Sequence, residues 1–257
     1  MSLINQSIKN IWLKELCILI ILLYLLYQVL NTFLNIHFSS TAIYILIICY
    51  FLFKLRNSLS DFKKDFSAVF SIDILKSVIL VVVLNIFFSY GMLYLSDFIL
   101  KAVPSLNFLV EFHVSSLYLN NTLAFIGGFI ASVLISPISE ELIFRGVILN
   151  RLKESLPIVI AILMTSLLFA ALHTYGSIIS AFVFGMCMSI LYLKTENIFV
   201  AIFAHFLNNL IAESIVVVDG QNLLFSDTIL MFIVSLLAII SAILIIKSII
   251  GELNKIK

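Results

Sequence analysis

Charge is unusually sparse in this sequence. Of its 257 residues only 11% are Asp, Glu, Lys or Arg, whereas a soluble globular domain averages about a quarter. That shortage, with 63% hydrophobic residues and a mean hydropathy of +1.21, excludes a soluble domain and points to a polytopic membrane protein. A net charge of +1 without a basic patch speaks against nucleic acid as a partner. Cysteine is scarcer still, at three residues. Cys17, Cys49 and Cys187 lie in apolar segments without CxxC spacing, so they read as small buried hydrophobes, not as a disulfide framework. There is no internal repeat and no low-complexity tract. The apolar segment after Lys9 and Lys14 is too long for a cleavable signal and lacks a small-residue cleavage site, so it reads as a first span.

What is present is a series of apolar runs. On the ruler of about 20 residues per crossing, eight helices are expected, near 16–37, 39–55, 72–96, 122–150, 156–174, 177–194, 197–218 and 227–249. The fold class is thus an all-α polytopic membrane helix bundle. Its expected divisions are 1–120 (N-terminal spans and interfacial segments), 121–220 (core) and 221–257 (last span and tail). Residues 56–70 and 101–120 mix charged and aromatic groups in the manner of interfacial segments. Lys9, Lys14, Lys54, Arg56, Lys63, Lys64, Arg151, Lys153, Lys194, Lys255 and Lys257 fall on one set of span ends, and the opposite loops contain only Lys101. By the positive-inside rule both termini are expected to be cytoplasmic.

Against this apolar background stand Glu140, Glu141 and Arg145. A charge in hydrocarbon costs roughly 2.5–3.5 kcal/mol on insertion scales, so three within six residues require partners, water or a function. Glu141 and Arg145 are four residues apart and share a helical face, in the order that favours an ion pair. Glu140 is turned about 100° away, which leaves it free for chemistry while the pair organises the site. A helix-to-helix salt bridge without catalysis is the structural alternative. Phe169 and His173 form a second cluster at four-residue spacing. His205, Asn209 and Glu213 form a stripe along one face of the seventh span, which must look into the bundle or a wet cavity. Gly127, Gly128, Gly176 and Gly185 read as packing positions.

A carboxylate and an imidazole can activate a water, and a second imidazole with a carboxamide can donate to an oxyanion. That set suffices for amide hydrolysis without a covalent intermediate. No Ser–His–Asp set and no HExxH motif is present. Zinc held by Glu140, His173 and His205 is chemically possible. EExxFRG at 140–146, FxxxH at 169–173 and HxxxN at 205–209, in this order on separate spans, resemble the CPBP family of CAAX proteases and bacteriocin-processing enzymes, also called Abi. The resemblance covers roughly residues 120–220. It implies Glu140 as the catalytic glutamate with His173 as its partner in activating water. It also implies His205 and Asn209 as the oxyanion pair, with Glu141, Arg145 and Phe169 in support. A metal-free, glutamate-dependent reaction without a cofactor is the expected form, zinc the alternative.

The expected setting is a bacterial plasma membrane, and the expected partners are the bilayer and a membrane-associated peptide or protein, such as a bacteriocin or pheromone precursor. A non-proteolytic bacteriocin-immunity or scaffold protein is the alternative from another class. A proton-coupled transporter is disfavoured by the absence of an inverted repeat. One tension accompanies the reading. His173 would lie about 24 Å along the fifth span from Pro157, whereas Glu140 and His205 would lie about 10–16 Å from their own ends.

Overall fold

The computed structural model describes residues 2–34, 39–103, 122–220 and 222–256, and every regular element among them is helical. The chain opens with a short helix, α1 (Leu3–Lys9), that the span-length ruler did not register. Then follow α2 (Leu13–Gln28), prolonged by a π turn to Phe33, and α3 (Ser40–Leu55). A 3₁₀ turn (Arg56–Asp61) leads into α4 (Phe62–Ala68), and α5 covers Ile72–Ala102. The sixth helix, α6, runs without interruption from 122 to 155 but changes winding along its length. It contains α-helical Thr122–Ile130, Ser136–Glu141 and Asn150–Ser155, separated by π-helical Ala131–Ile135 and Leu142–Leu149. The remainder is α7 (Ile158–Ala170), α8 (Ile178–Thr195), α9 (Ile198–Val218), α10 (Leu223–Ser226) and α11 (Thr228–Ile256).

Among the described residues, seven helical stretches are long and apolar enough to cross a membrane: Leu13–Phe33, Ser40–Ala68, Ile72–Ala102, Phe125–Ser155, Tyr175–Thr195, Ile198–Val218 and Thr228–Lys255. The fifth of the eight expected spans is the exception, because α7 has only 13 residues. The chain leaves the helix at Ala170, where the His173 N–H bonds the Ala170 carbonyl, and turns into the 3₁₀ segment Tyr175–Ser177. Residues 56–68 of the polar stretch form the 3₁₀ turn and α4; the interfacial expectation for 101–120 falls, beyond Val103, outside the described residues.

The centre of the bundle is α6, which touches α1, α3, α7, α8 and α9. On one flank α5 packs between α9 and α11, and α7 packs along α8. The core is aliphatic and aromatic, with Val147, Leu149, Ile162, Met188 and Val200 fully buried. Large apolar side chains on the outer faces stay exposed in the isolated chain, as lipid-facing positions do.

The basic span ends converge on one face. Lys54 pairs with Glu15 at 2.5 Å, Lys9 with Glu196 at 3.7 Å and Lys194 with Glu252 at 3.1 Å. Arg151 donates to the Ile11 carbonyl at 3.0 and 3.1 Å. The N-terminal helix and the end of α11 therefore lie at the same end of the bundle.

That face also explains α1. The Leu3 N–H donates to Asp61, Ser7 and Ser58 share a hydrogen bond, and Asn5 Nδ2 donates to Asp65. Asn5 Oδ1 accepts the N–H of Ile198 at 3.0 Å, and Asn197 Nδ2 donates to the Asp65 carbonyl at 2.8 Å. The first turn of α9 is thus buried and seated on α1 instead of starting in water.

Candidate active site

The paired residues come first. Glu141 and Arg145 are both 0% exposed, and Arg145 Nη1 donates to Glu141 Oε1 at 2.8 Å. Arg145 Nη2 reaches across to the Gly185 carbonyl at 3.1 Å, and the guanidinium lies 4.7 Å from the centre of the Phe169 ring. A buried ion pair persists only where further hydrogen bonds and polarisable surfaces offset desolvation. Here the carbonyl and the ring supply them. His205 adds a third member, with Nδ1 2.8 Å from the same Glu141 oxygen. A carboxylate only accepts, so Nδ1 carries the hydrogen and Nε2 is the nitrogen left for chemistry.

Glu140 sits apart, as the helical angle required. Its side chain is 12% exposed, its Oε1 accepts from Ser136 Oγ, and its Oε2 is 3.9 Å from His205 Nε2, beyond hydrogen-bond length. Ser136 stands one turn before Glu140 on the α-helical stretch; that i,i+4 spacing was available in the sequence.

Phe169 is the hub that gathers the histidines. It is buried, with its ring 4.7 Å from His173, 5.8 Å from His205 and 5.3 Å from Phe144, while Phe184 stacks edgewise on His205 at 5.1 Å. His173 lies beyond the end of α7, not on it, and its Nδ1 turns back to the Phe169 carbonyl at 3.0 Å. Its Nε2 side remains available, within electrostatic reach of Glu140, His205 and Arg145. The depth tension disappears with this turn and with the recessed start of α9. From Ile158 to Phe169 is about 17 Å, and the ring of His173 folds back to that level.

Asn209 and Glu213 are brought to a residue that no motif contains. Asn209 Nδ2 donates to the Ser132 carbonyl at 2.9 Å, and Ser132 Oγ donates to Glu213 at 2.7 Å. Asn209 Oδ1 accepts from Asn208, whose own Oδ1 accepts from Asn85 on α5. The stripe on α9 does look into the bundle, but at this end it faces the first π turn of α6.

Two more residues escaped the sequence reading. Asn150 Nδ2 lies 2.7 Å from the Gly146 carbonyl, 3.1 Å from the Arg145 carbonyl and 2.9 Å from Tyr192 Oη, holding the end of the second π stretch. Ile8 of α1 meets Gly146 so closely that a Cβ there would stand 2.7 Å from Ile8 Cγ2. At Gly185 a Cβ would stand 3.1 Å from Ser166, so that position does serve packing. Around Gly127 and Gly128, no atom of the described residues lies within 4 Å of a Cβ. Also among the described residues, no group of three or more His, Cys, Asp or Glu side chains is arranged to hold a metal ion, and Glu140, His173 and His205 are not so arranged.

Beside this cluster, α6 and α9 also bound an apolar cavity of about 500 Å³. Its walls include Ile138, Leu142, Ile202 and Phe206, with Phe62 and Phe66 of α4 facing them.

Comparison with known proteins bears on the same segment. Residues 122–211 match a family described as "Type II CAAX prenyl endopeptidase Rce1-like". A Bacillus subtilis (strain 168) protein named "Putative membrane peptidase YdiL" is 35% identical over 81 residues, covering 31% of this chain and 33% of that protein. No solved structure matches the chain. The matched family segment contains all three motifs, so the likeness read from them holds over the part of the chain that builds the cluster.

Proposed function

From a segment that is type II CAAX prenyl endopeptidase-like and contains Glu140, Glu141, Arg145, His173, His205 and Asn209, we propose an intramembrane endopeptidase that hydrolyses peptide bonds by a glutamate-activated water. The observation that carries the reading is the division of labour between the two carboxylates. Glu141 is neutralised by Arg145 and bonded to His205, while Glu140, slightly exposed and 3.9 Å from His205 Nε2, is the one able to accept a proton.

In this reading Glu140 takes a proton from water as the oxygen adds to the scissile carbonyl carbon, and His173 orients that water. The carbonyl oxygen becomes an oxyanion facing His205 and Asn209. His205 can donate from Nε2 only as an imidazolium, because Nδ1–H is already given to Glu141. Collapse of the tetrahedral adduct breaks the C–N bond, and the proton held by Glu140 passes to the leaving nitrogen. No cofactor is invoked, and no step runs through a metal. The adjoining apolar cavity is suited to apolar side chains of the substrate. The setting proposed is a bacterial plasma membrane with the basic face in the cytoplasm, and the substrate a membrane-associated peptide or protein such as a bacteriocin or pheromone precursor.

The test compares peptides and new protein termini from cells carrying the wild type or Glu140→Gln at equal abundance. Termini generated only by the wild type are expected. Identical profiles, with native partners co-expressed, would instead favour an immunity or scaffold protein whose polar cluster is purely structural.

A further inference from the structure

The first π turn of α6 and the proline that follows it create a specific deficit in the backbone. In this turn the Ser136 N–H bonds the Ala131 carbonyl, five residues back. Continuing the same winding, the N–H of residue 137 would bond the Ser132 carbonyl, but residue 137 is proline and has no N–H. The Ser132 carbonyl is therefore left without its helical donor, deep in the segment that carries Glu140. An unpaired backbone carbonyl away from water is costly, and membrane helices with proline survive by recruiting a donor from a neighbouring helix. That donor is Asn209, whose Nδ2 stands 2.9 Å from the Ser132 oxygen. One turn further along α9, Glu213 accepts from Ser132 Oγ at 2.7 Å, so α9 grips this single residue by its backbone and its side chain.

We infer that Asn209 is a positioning residue: it replaces the N–H that Pro137 lacks and so holds the π turn that sets the direction of Glu140. A π turn carries one extra residue, and each residue turns a helix by about 100°. Relaxation of the turn to ordinary winding would thus rotate Ser136 and Glu140 by that angle relative to the preceding half of α6. The carboxamide has two hydrogens, and this role takes one of them. Glu213 is the second anchor of the same turn. The consequence for activity rests on the peptidase reading; the consequence for the helix does not.

The experiment is a double-mutant cycle between Asn209→Ala and Pro137→Ala, read by melting of the purified protein in detergent and by cleavage, with Glu140→Gln as the inactive control. Alanine at 137 restores an N–H able to serve Ser132. With proline in place, Asn209→Ala is expected to lower the melting temperature by about 3–6 °C and kcat by roughly tenfold with KM little changed. In the Pro137→Ala background the same substitution is expected to lose most of both effects. If Asn209→Ala alone fails to accumulate, accumulation of the double variant carries the proposal equally. Equal losses in the two backgrounds, in either measurement, would overturn it and leave Asn209 as an oxyanion donor only. If Glu140→Gln cleaves like the wild type, the peptidase reading falls while the melting cycle still decides the role of Asn209.

Discussion

Glu140 and Glu141 are neighbours in sequence with opposite tolerances to change. Removing the Glu141 charge leaves Arg145 buried and uncompensated, a loss of about 3–5 kcal/mol. Glu141→Ala is therefore expected to collapse the protein's abundance or its melting temperature. Glu140→Ala, by contrast, removes a partly solvated group held by one serine and is expected to fold normally. Thermal unfolding of the two variants side by side checks this, and equal destabilisation would contradict the division of roles. Ser136→Ala should lower cleavage by about tenfold with unchanged stability, since it frees a carboxylate without burying anything unpaired. Much at this scale could be read from spacing: the i,i+4 step gave the Glu141–Arg145 pair, and the neighbouring step turned Glu140 away. The bond between His205 and Glu141 could not be read in the same way. Its partners are 64 residues apart, and nothing local says which carboxylate the imidazole will choose.

Between elements, one close joint is α1 against α6. Gly146→Ala would drive a methyl to within 2.7 Å of Ile8 Cγ2, and overpacking of this kind costs about 1–3 kcal/mol. Ile8→Ala creates the missing space, so the cost of Gly146→Ala is expected to fall in that background; a melting cycle of the four proteins measures it. Span lengths and the apolar ruler fixed seven of the eight expected crossings to within several residues. The rest was hidden for identifiable reasons. Helix α1 is too short for a hydropathy window, and its burial depends on Asn5 finding the start of α9. In the π stretches of α6, Asn209 meets the Ser132 carbonyl and Asn150 those of Arg145 and Gly146. A periodicity of 3.6 residues cannot reveal either. The helical end of α7 was equally hidden, since apolar residues continue to Leu172.

For the whole molecule, the convergence of Lys9, Lys194 and Glu252 on one face makes topology testable. In a chain lacking Cys17, Cys49 and Cys187, cysteines placed at Asn10 and Asn254 should react with an impermeant maleimide only after the membrane is opened to the cytoplasmic side. A cysteine at Asn222 should react from outside; the reverse pattern would invert the orientation inferred from charge. The shortness of α7 carries a consequence for the bilayer itself. Its outer stripe of Ile160, Met164, Leu167 and Leu168 is exposed in the isolated chain, yet thirteen residues present only about 20 Å of helix to a hydrocarbon layer of about 30 Å. Acyl chains beside α7 must compress or tilt to meet it, a hydrophobic mismatch that thins the membrane locally next to His173 and lets the aqueous boundary dip toward the cluster. Reconstituted protein is therefore expected to hydrolyse substrate faster in short-chain than in long-chain phosphatidylcholine. Membrane thickness would then act on the rate directly, by setting how far water has to travel.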